Sequence, residues 1–273
     1  MQDIVQIIVN FVMNQPEEVV NAFYSYLTAM VFLVALIIIS KWQGVEIANK
    51  LVVGTIRGTI QIILMALILI EIFNLENILI IFLVLTFMSF FAAYTVQDNL
   101  DDIPNSFKVA LPSILVSSLS VMGVAVLLGV VETTGEFIVP MGGMIIGNSM
   151  GLTSLVIERM WSTAQKQRGL LETALALGAS PVQATENTIQ ESIRSSLLPN
   201  LNRYASLGVV SIPGLMSGMI IGGLNPLAAA LYQVLIFILI FLSAIISGII
   251  VSRLFLKEMF NERFQLTVPP AQA

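Results

Sequence analysis

Residues Leu227–Phe255 read LAAALYQVLIFILIFLSAIISGIIVSRLF and carry no charge before Arg253. An apolar run of about 20 residues is enough to cross the hydrocarbon core of a bilayer as a helix. This run exceeds one crossing, so its helix is expected to tilt or to continue past the membrane. Working outward, six more apolar stretches stand at about Phe23–Ser40, Val52–Phe73, Ile78–Tyr94, Val109–Val131, Phe137–Ile157 and Leu207–Leu224. The last is interrupted by Pro213-Gly214. Residues 1–20 read as a short amphipathic lead-in, with Ile4, Val5, Ile8 and Val9 at helical spacing before Gln15–Glu18 breaks the run.

Bulk composition agrees with these spans. Hydrophobic residues make up 57% of the chain and charged residues 11%, with a mean hydropathy of +0.93. A soluble domain carries about 25% charged residues, so a water-facing surface is out of reach here and the bilayer is the solvent. The fold class is therefore all-α and polytopic, a single transmembrane domain over residues 1–273, expected in a cell's inner (plasma) membrane. No nucleic-acid partner is expected of a chain with net charge −5. Absence of Cys and His removes disulfides, imidazole and thiolate metal ligands, and Cys/His nucleophiles. Asp3 and the lack of a basic leading segment argue against a cleaved signal peptide.

Orientation follows from the basic residues, which concentrate in cytoplasmic loops. Lys41, Lys50 and Arg57 lie between or just inside spans one and two, and Lys108 lies between three and four. Arg159, Lys166, Arg168, Arg194 and Arg203 lie between five and six, and Arg253, Lys257 and Arg263 close the chain. Seven spans put all 12 on one face. Asp3, Glu17, Glu18, Glu76, Glu132 and Glu136 fall on the other. The N-terminus is predicted outside and the C-terminus inside.

Between spans five and six lies the one long hydrophilic segment, residues 158–203. Good helix formers run from Trp161 to Leu177, and Gly178 suits the left-handed position past a helix end. Ser180 is an N-cap with Pro181 at the first helical position, and a second helix is expected to run to Leu198-Pro199. Two readings are open for this elbow. It inserts into a cytoplasmic partner, or it is a connecting loop that happens to be helical.

The string Glu172-Thr-Ala-Leu-Ala-Leu-Gly178-Ala179-Ser180-Pro181 resembles the EAA loop of ABC transporter permeases, where Glu and Gly stand six apart before a coupling helix. Its Leu198-Pro199 follows later than in importers. Four pieces, one of them within that string, resemble the iron-export (FetB-type) permease family, which includes plant aluminium-resistance half-transporters. They are Val53–Arg57 with Gln61, Pro140-Met141 through Gly147–Met150, Leu177–Pro181, and Leu207–Gly218. The resemblance implies a homodimer of permeases, each docked through Glu172, Gly178, Ala179, Ser180 and Pro181 to a separate cytoplasmic ABC ATPase subunit, which uses the ATP. It implies iron or another metal as cargo and export as direction. The chain itself has no phosphate-binding loop, since no Gly is followed by Lys, so it is not expected to be an enzyme or to hold a cofactor.

Candidate pathway residues are those that sit awkwardly in lipid. Arg57 and Gln61 share a face of span two, and a charge at membrane depth is a functional candidate unless it snorkels toward Lys50. Asn148, Ser149 and Gln233 are expected to form interhelical bonds. Gly143, Gly147 and Gly151, and likewise Gly214, Gly218 and Gly222, recur every four residues. Such ladders commonly pack within the chain, and otherwise line a dimer interface or gate. Pro213 is expected to break span six next to the pathway. Met144 and Met216 flank the glycines, as do Met141, Met150 and Met219. Thioethers fill gaps and are also soft metal ligands, so a metal site stays unassigned. The acidic turn Asp98–Asp102 is either a solvated loop or a collector of cations. Two other functions compete: an ABC permease for a nucleotide sugar or organic anion, which Arg57 suits, and a secondary carrier needing no ATPase.

Overall fold

A computed structural model describes residues 16–45, 47–73 and 77–270, with side chains at all of these but 50, 70, 71 and 73. The lead-in over residues 1–15, with Asp3, and Glu76 lie outside the described residues. Nine helices occur among the described residues. They are α1 (Glu17–Trp42), α2 (Ala48–Phe73), α3 (Ile78–Asn99), α4 (Ser106–Leu127), α5 (Gly135–Lys166), α6 (Arg168–Ala176), α7 (Pro181–Ala205), α8 (Gly214–Ile221) and α9 (Pro226–Met259). The chain divides into two compact units, Met1–Glu71 and Ile72–Ala273.

In the first unit the apolar windows of α1 and α2 bury nothing inside the protein. Val31, Phe32 and Ile62 are more than two-thirds exposed, as expected of side chains that meet lipid tails. Tyr26 and Thr59 share a 2.9 Å hydrogen bond between the two helices.

In the second unit α3, α4, α5 and α9 form the core. Gly135 meets Ile81, Gly142 meets Leu85 and Gly143 meets Met88, so α3 and α5 run parallel. Phe90 stacks on Phe107, and Gly123 faces Phe82, so α4 runs against α3. Ser149 bonds Ser243 at 2.8 Å and Thr153 bonds Ser247 at 2.7 Å. That constant offset makes α5 and α9 parallel too. Small hydroxyl residues let the two backbones approach closely and supply interhelical hydrogen bonds, the usual glue of helices in lipid.

Because α5 and α9 point the same way, the chain from Lys166 to Pro226 has to climb back along the bundle. Two elements share that return. Ile193 of α7 lies against Gly248, and Tyr204 packs on Phe237 and Phe241 of α9. Further along, the amide of Met216 in α8 donates to Gln233 Oε1 at 3.2 Å. The stretch Leu207–Leu224 is thus no continuous span. Gly208 at φ +79° and Pro213 interrupt it, and α8 is about 12 Å long, short of a hydrocarbon core of about 30 Å. Among the described residues six helices are long and apolar enough to cross a membrane, against seven spans expected.

Helix α7 carries the rest of that return while looking hydrophilic. It buries Thr185, Thr188, Ser192 and Ser196 and continues through Pro199 to Ala205. The expected stop at Leu198-Pro199 fails, and in the last turn Tyr204 packs on Phe237 and Phe241 of α9. Span five also extends further than Ile157. Helix α5 runs to Lys166, about 48 Å, and breaks at Gln167 rather than continuing toward Leu177.

Candidate functional site

The elbow after α5 is built from local capping chemistry. At the end of α6 the amide of Gly178 donates to Leu175 O and that of Ala179 to Ala174 O, both at 3.0 Å. This pair of bonds is a Schellman ending, and it requires Gly178 at φ +95°, where a side chain is strained. Two residues on, Ser180 caps α7. Its amide donates to Gln183 Oε1 at 2.9 Å and the Gln183 amide donates to Ser180 Oγ at 3.4 Å, with Pro181 at the first turn. This reciprocal capping box satisfies two of the orphan amides of the helix start. The turn between α6 and α7 is therefore specified by Gly178, Ser180, Pro181 and Gln183, the last not singled out in the sequence.

Glu172, six residues before Gly178, accepts from Arg168 Nε at 2.8 Å. Exposed on the elbow are Leu170 (67%), Leu177 (84%) and Val182 (61%). Beside them opens a groove of about 1300 Å³, whose walls are the elbow on one side and residues 256–266 on the other. The part played by the segment after α9 was not legible from composition, because a short polar tail carries no periodicity.

The glycine ladders behave differently from a packed interior. Only Gly143 meets a neighbour in another helix, the Met88 methyl, whereas a Cβ at Gly147, Gly151, Gly214 or Gly218 would meet nothing within 4 Å. Packing within the chain is thus ruled out as the general account of the ladders. Met144, Gly147, Asn148 and Gly151 share one face of α5 at helical spacing, and Met144 and Asn148 are half-buried. Asn148 Nδ2 donates to Met144 O of its own helix at 2.8 Å, and Asn148 makes no interhelical bond among the described residues. Ser149, by contrast, is fully buried in the bond to Ser243.

Pro213 caps the start of α8 instead of kinking a span. Met216, half-buried, lies in the first turn of that helix, and Gln233 bonds its amide from α9. Gln233 Nε2, Ser196 Oγ and Ser118 Oγ are buried and without a hydrogen-bond partner among the described residues. Arg57 and Gln61 lie on exposed positions of α2 in the first unit. The acidic turn Asp98–Asp102 borders a second cavity of about 920 Å³ with Glu158 and Trp161. Among the described residues no group of three or more His, Cys, Asp or Glu is arranged to hold a metal ion.

Comparison with known proteins matches residues 23–260 to a model described as an uncharacterised protein family, UPF0014. The chain is 33% identical to Protein ALUMINUM SENSITIVE 3 of Arabidopsis thaliana over 238 residues, covering 87% of each chain. It is 30% identical to the probable iron export permease protein FetB of Escherichia coli (strain K12), covering 88% of this chain and 93% of that one. To the UPF0014 membrane protein STAR2 of Oryza sativa subsp. japonica it is 30% identical, covering 88% and 83%. No solved structure matches. With its apolar helices and a family match over most of its length, the chain belongs to UPF0014, a family of membrane proteins.

Proposed function

We propose that this chain is the membrane-spanning subunit of an ABC transporter, driven by a separate cytoplasmic ATPase subunit and exporting iron or another metal ion. The observation that carries the reading is the elbow. Its two helices are locked end to end by a Schellman ending and a capping box, and it keeps Leu170, Leu177 and Val182 in contact with solvent. Large apolar side chains held out on a rigid, otherwise polar projection mark a protein interaction surface. Glu172, Gly178, Ala179, Ser180 and Pro181 form the docking element. The similarity to a protein named a probable iron export permease supports the metal cargo.

Two copies pair in the plasma membrane with their elbows in the cytoplasm. The open face of α5, with Met144, Gly147, Asn148 and Gly151, and the start of α8, with Pro213 and Met216, line the pathway between them. Arg57 and Gln61, on exposed positions of α2, are assigned a transport role within the first unit. ATP-driven closure of the ATPase dimer pushes the elbows together and tips α5. Ser149 steadies α5 against α9 during that motion.

Co-purification of the chain with the ATPase encoded beside it, followed by ATP hydrolysis assays with and without iron(II), tests the assignment. A stable complex whose hydrolysis rises with iron is expected. Iron transport in vesicles that contain neither ATPase nor ATP would sink the ABC reading in favour of a secondary carrier.

A further inference from the structure

Nothing in the docking role above uses the segment that follows α9, yet that segment is closely tied down. Phe260 and Leu266 pair across an antiparallel bridge. Asn261 Oδ1 closes the turn between them by accepting from the amides of Arg263 and Gln265, both at 2.9 Å. The Thr267 amide then returns to Met259 O at 2.9 Å, and Leu266 and Val268 are buried. Val268 O accepts from Arg168 Nη1 at 2.8 Å, while Nε of the same guanidinium holds Glu172 Oε1 at 2.8 Å. Pro269 and Pro270 finally line the same cavity as the α3–α4 turn and Trp161. One strap thus joins the end of α9 to the start of α6.

The elbow needs such a tie. Helix α6 buries a single residue, Leu171, and the first turn of α7 buries none. Little apolar packing holds the elbow on the bundle, so its pose depends on its polar links. Arg168 is suited to be one. Its planar fork sends two N–H groups to two acceptors at once, a carboxylate on the elbow and a carbonyl on the strap, which the single point charge of a lysine does not reproduce.

We propose that the strap Phe260–Pro270, through Arg168, positions the elbow and ties it to α9, so that a push on the elbow moves α5 and α9 as one body. The proposal rests on the elbow being the ATPase docking element. Arg168 is a positioning residue: it acts through Glu172 and the strap, with no contact to cargo or nucleotide required.

The chain has no Cys, which permits a test that needs no knowledge of the cargo. A reporter cysteine, Leu227→Cys, sits exposed in the first turn of α9, remote from the elbow. In the full permease–ATPase complex in liposomes, its maleimide labelling rate is measured with and without ATP. The ATP-dependent change is expected in the parent and reduced about tenfold by Arg168→Gln, by Arg168→Lys, and by a stop replacing Leu266. ATPase binding persists in all three. Arg168→Gln combined with the stop loses no more than either alone, because both cut the same link. As a guard against simple misfolding, Arg168→Cys with Val268→Cys, in a variant without the reporter, is bridged by a bis-maleimide. ATP-dependent protection of α9 from proteolysis is lost in the unbridged pair and regained on bridging. An undiminished change in the Arg168 variants, additive losses, or no recovery on bridging overturns the strap. Failure of the parent chain to bind any ATPase instead overturns the docking reading itself.

Discussion

Gly178 occupies φ +95°, and a Cβ there would meet no neighbour within 4 Å. The demand on this position is therefore one of backbone conformation, not of space. A left-handed conformation costs a non-Gly residue roughly 1–2 kcal/mol, least for Asn. Gly178→Val is expected to loosen the elbow and weaken ATPase binding about tenfold or more, while Gly178→Asn stays near the parent. Titrating labelled ATPase against permease in nanodiscs checks this, and equal affinities for both variants would contradict it. The hydroxyl pair Ser149–Ser243 is a different kind of site, buried and mutually satisfied at 2.8 Å. Removing one hydroxyl strands the other, so Ser149→Ala or Ser243→Ala each costs about 1 kcal/mol. The double variant recovers part of the loss. Denaturant unfolding of the four proteins in detergent gives the coupling directly.

Two glycines five residues apart on α5 separate its packed face from its open face. A Cβ at Gly142 would lie 2.5 Å from Leu85 Cδ2, and Leu85 is itself 1% exposed. Gly142→Ala forces a shift in a closed interface and is expected to lose about 1–3 kcal/mol of stability. Gly147 faces open space within the chain, so Gly147→Leu leaves protomer unfolding unchanged. Its expected effect is on pairing of two copies, seen as loss of dimer in crosslinking or light scattering. An unaltered dimer would remove α5 from the proposed interface. At this scale the sequence was partly legible. Helices α1 to α5 and α9 were marked by apolar length alone, and Ser180-Pro181 marked the start of α7. Helix α7 itself was read as a purely cytoplasmic arm, because Thr185, Thr188, Ser192 and Ser196 look solvated in a sequence. They are in fact buried; Thr185 Oγ1 donates to Pro181 O one turn back at 2.7 Å, while Ser196 Oγ has no partner among the described residues.

At the scale of the whole chain, the second unit is ordered by the parallel run of α3, α5 and α9, with α4 and α7 in the opposite sense. That arrangement gathers Lys108, Lys166, Arg168 and Lys257 at the elbow end, and basic loops predict the cytoplasmic side. Single cysteines in the Cys-free chain test it. Glu132→Cys is expected to react with an impermeant maleimide on intact cells, and Glu262→Cys only after the membrane is opened. The reverse pattern would invert the assigned orientation and remove the elbow from the cytoplasm.

From the sequence alone came the membrane class, the helices that carry their own apolar length, and the elbow, whose Gly178 and Ser180-Pro181 act through bonds to near neighbours in the chain. These features are local, so composition and short-range spacing contain them. Tertiary structure alone decided that Leu207–Leu224 is no continuous helix, that the polar α7 packs into the bundle, and that the glycine faces at Gly147 and Gly218 stay open. It also brought Arg168 to Val268, 100 residues apart. Each of these depends on which distant side chain stands opposite, and a lone Ser, Gly or Arg carries no mark of the partner it will meet.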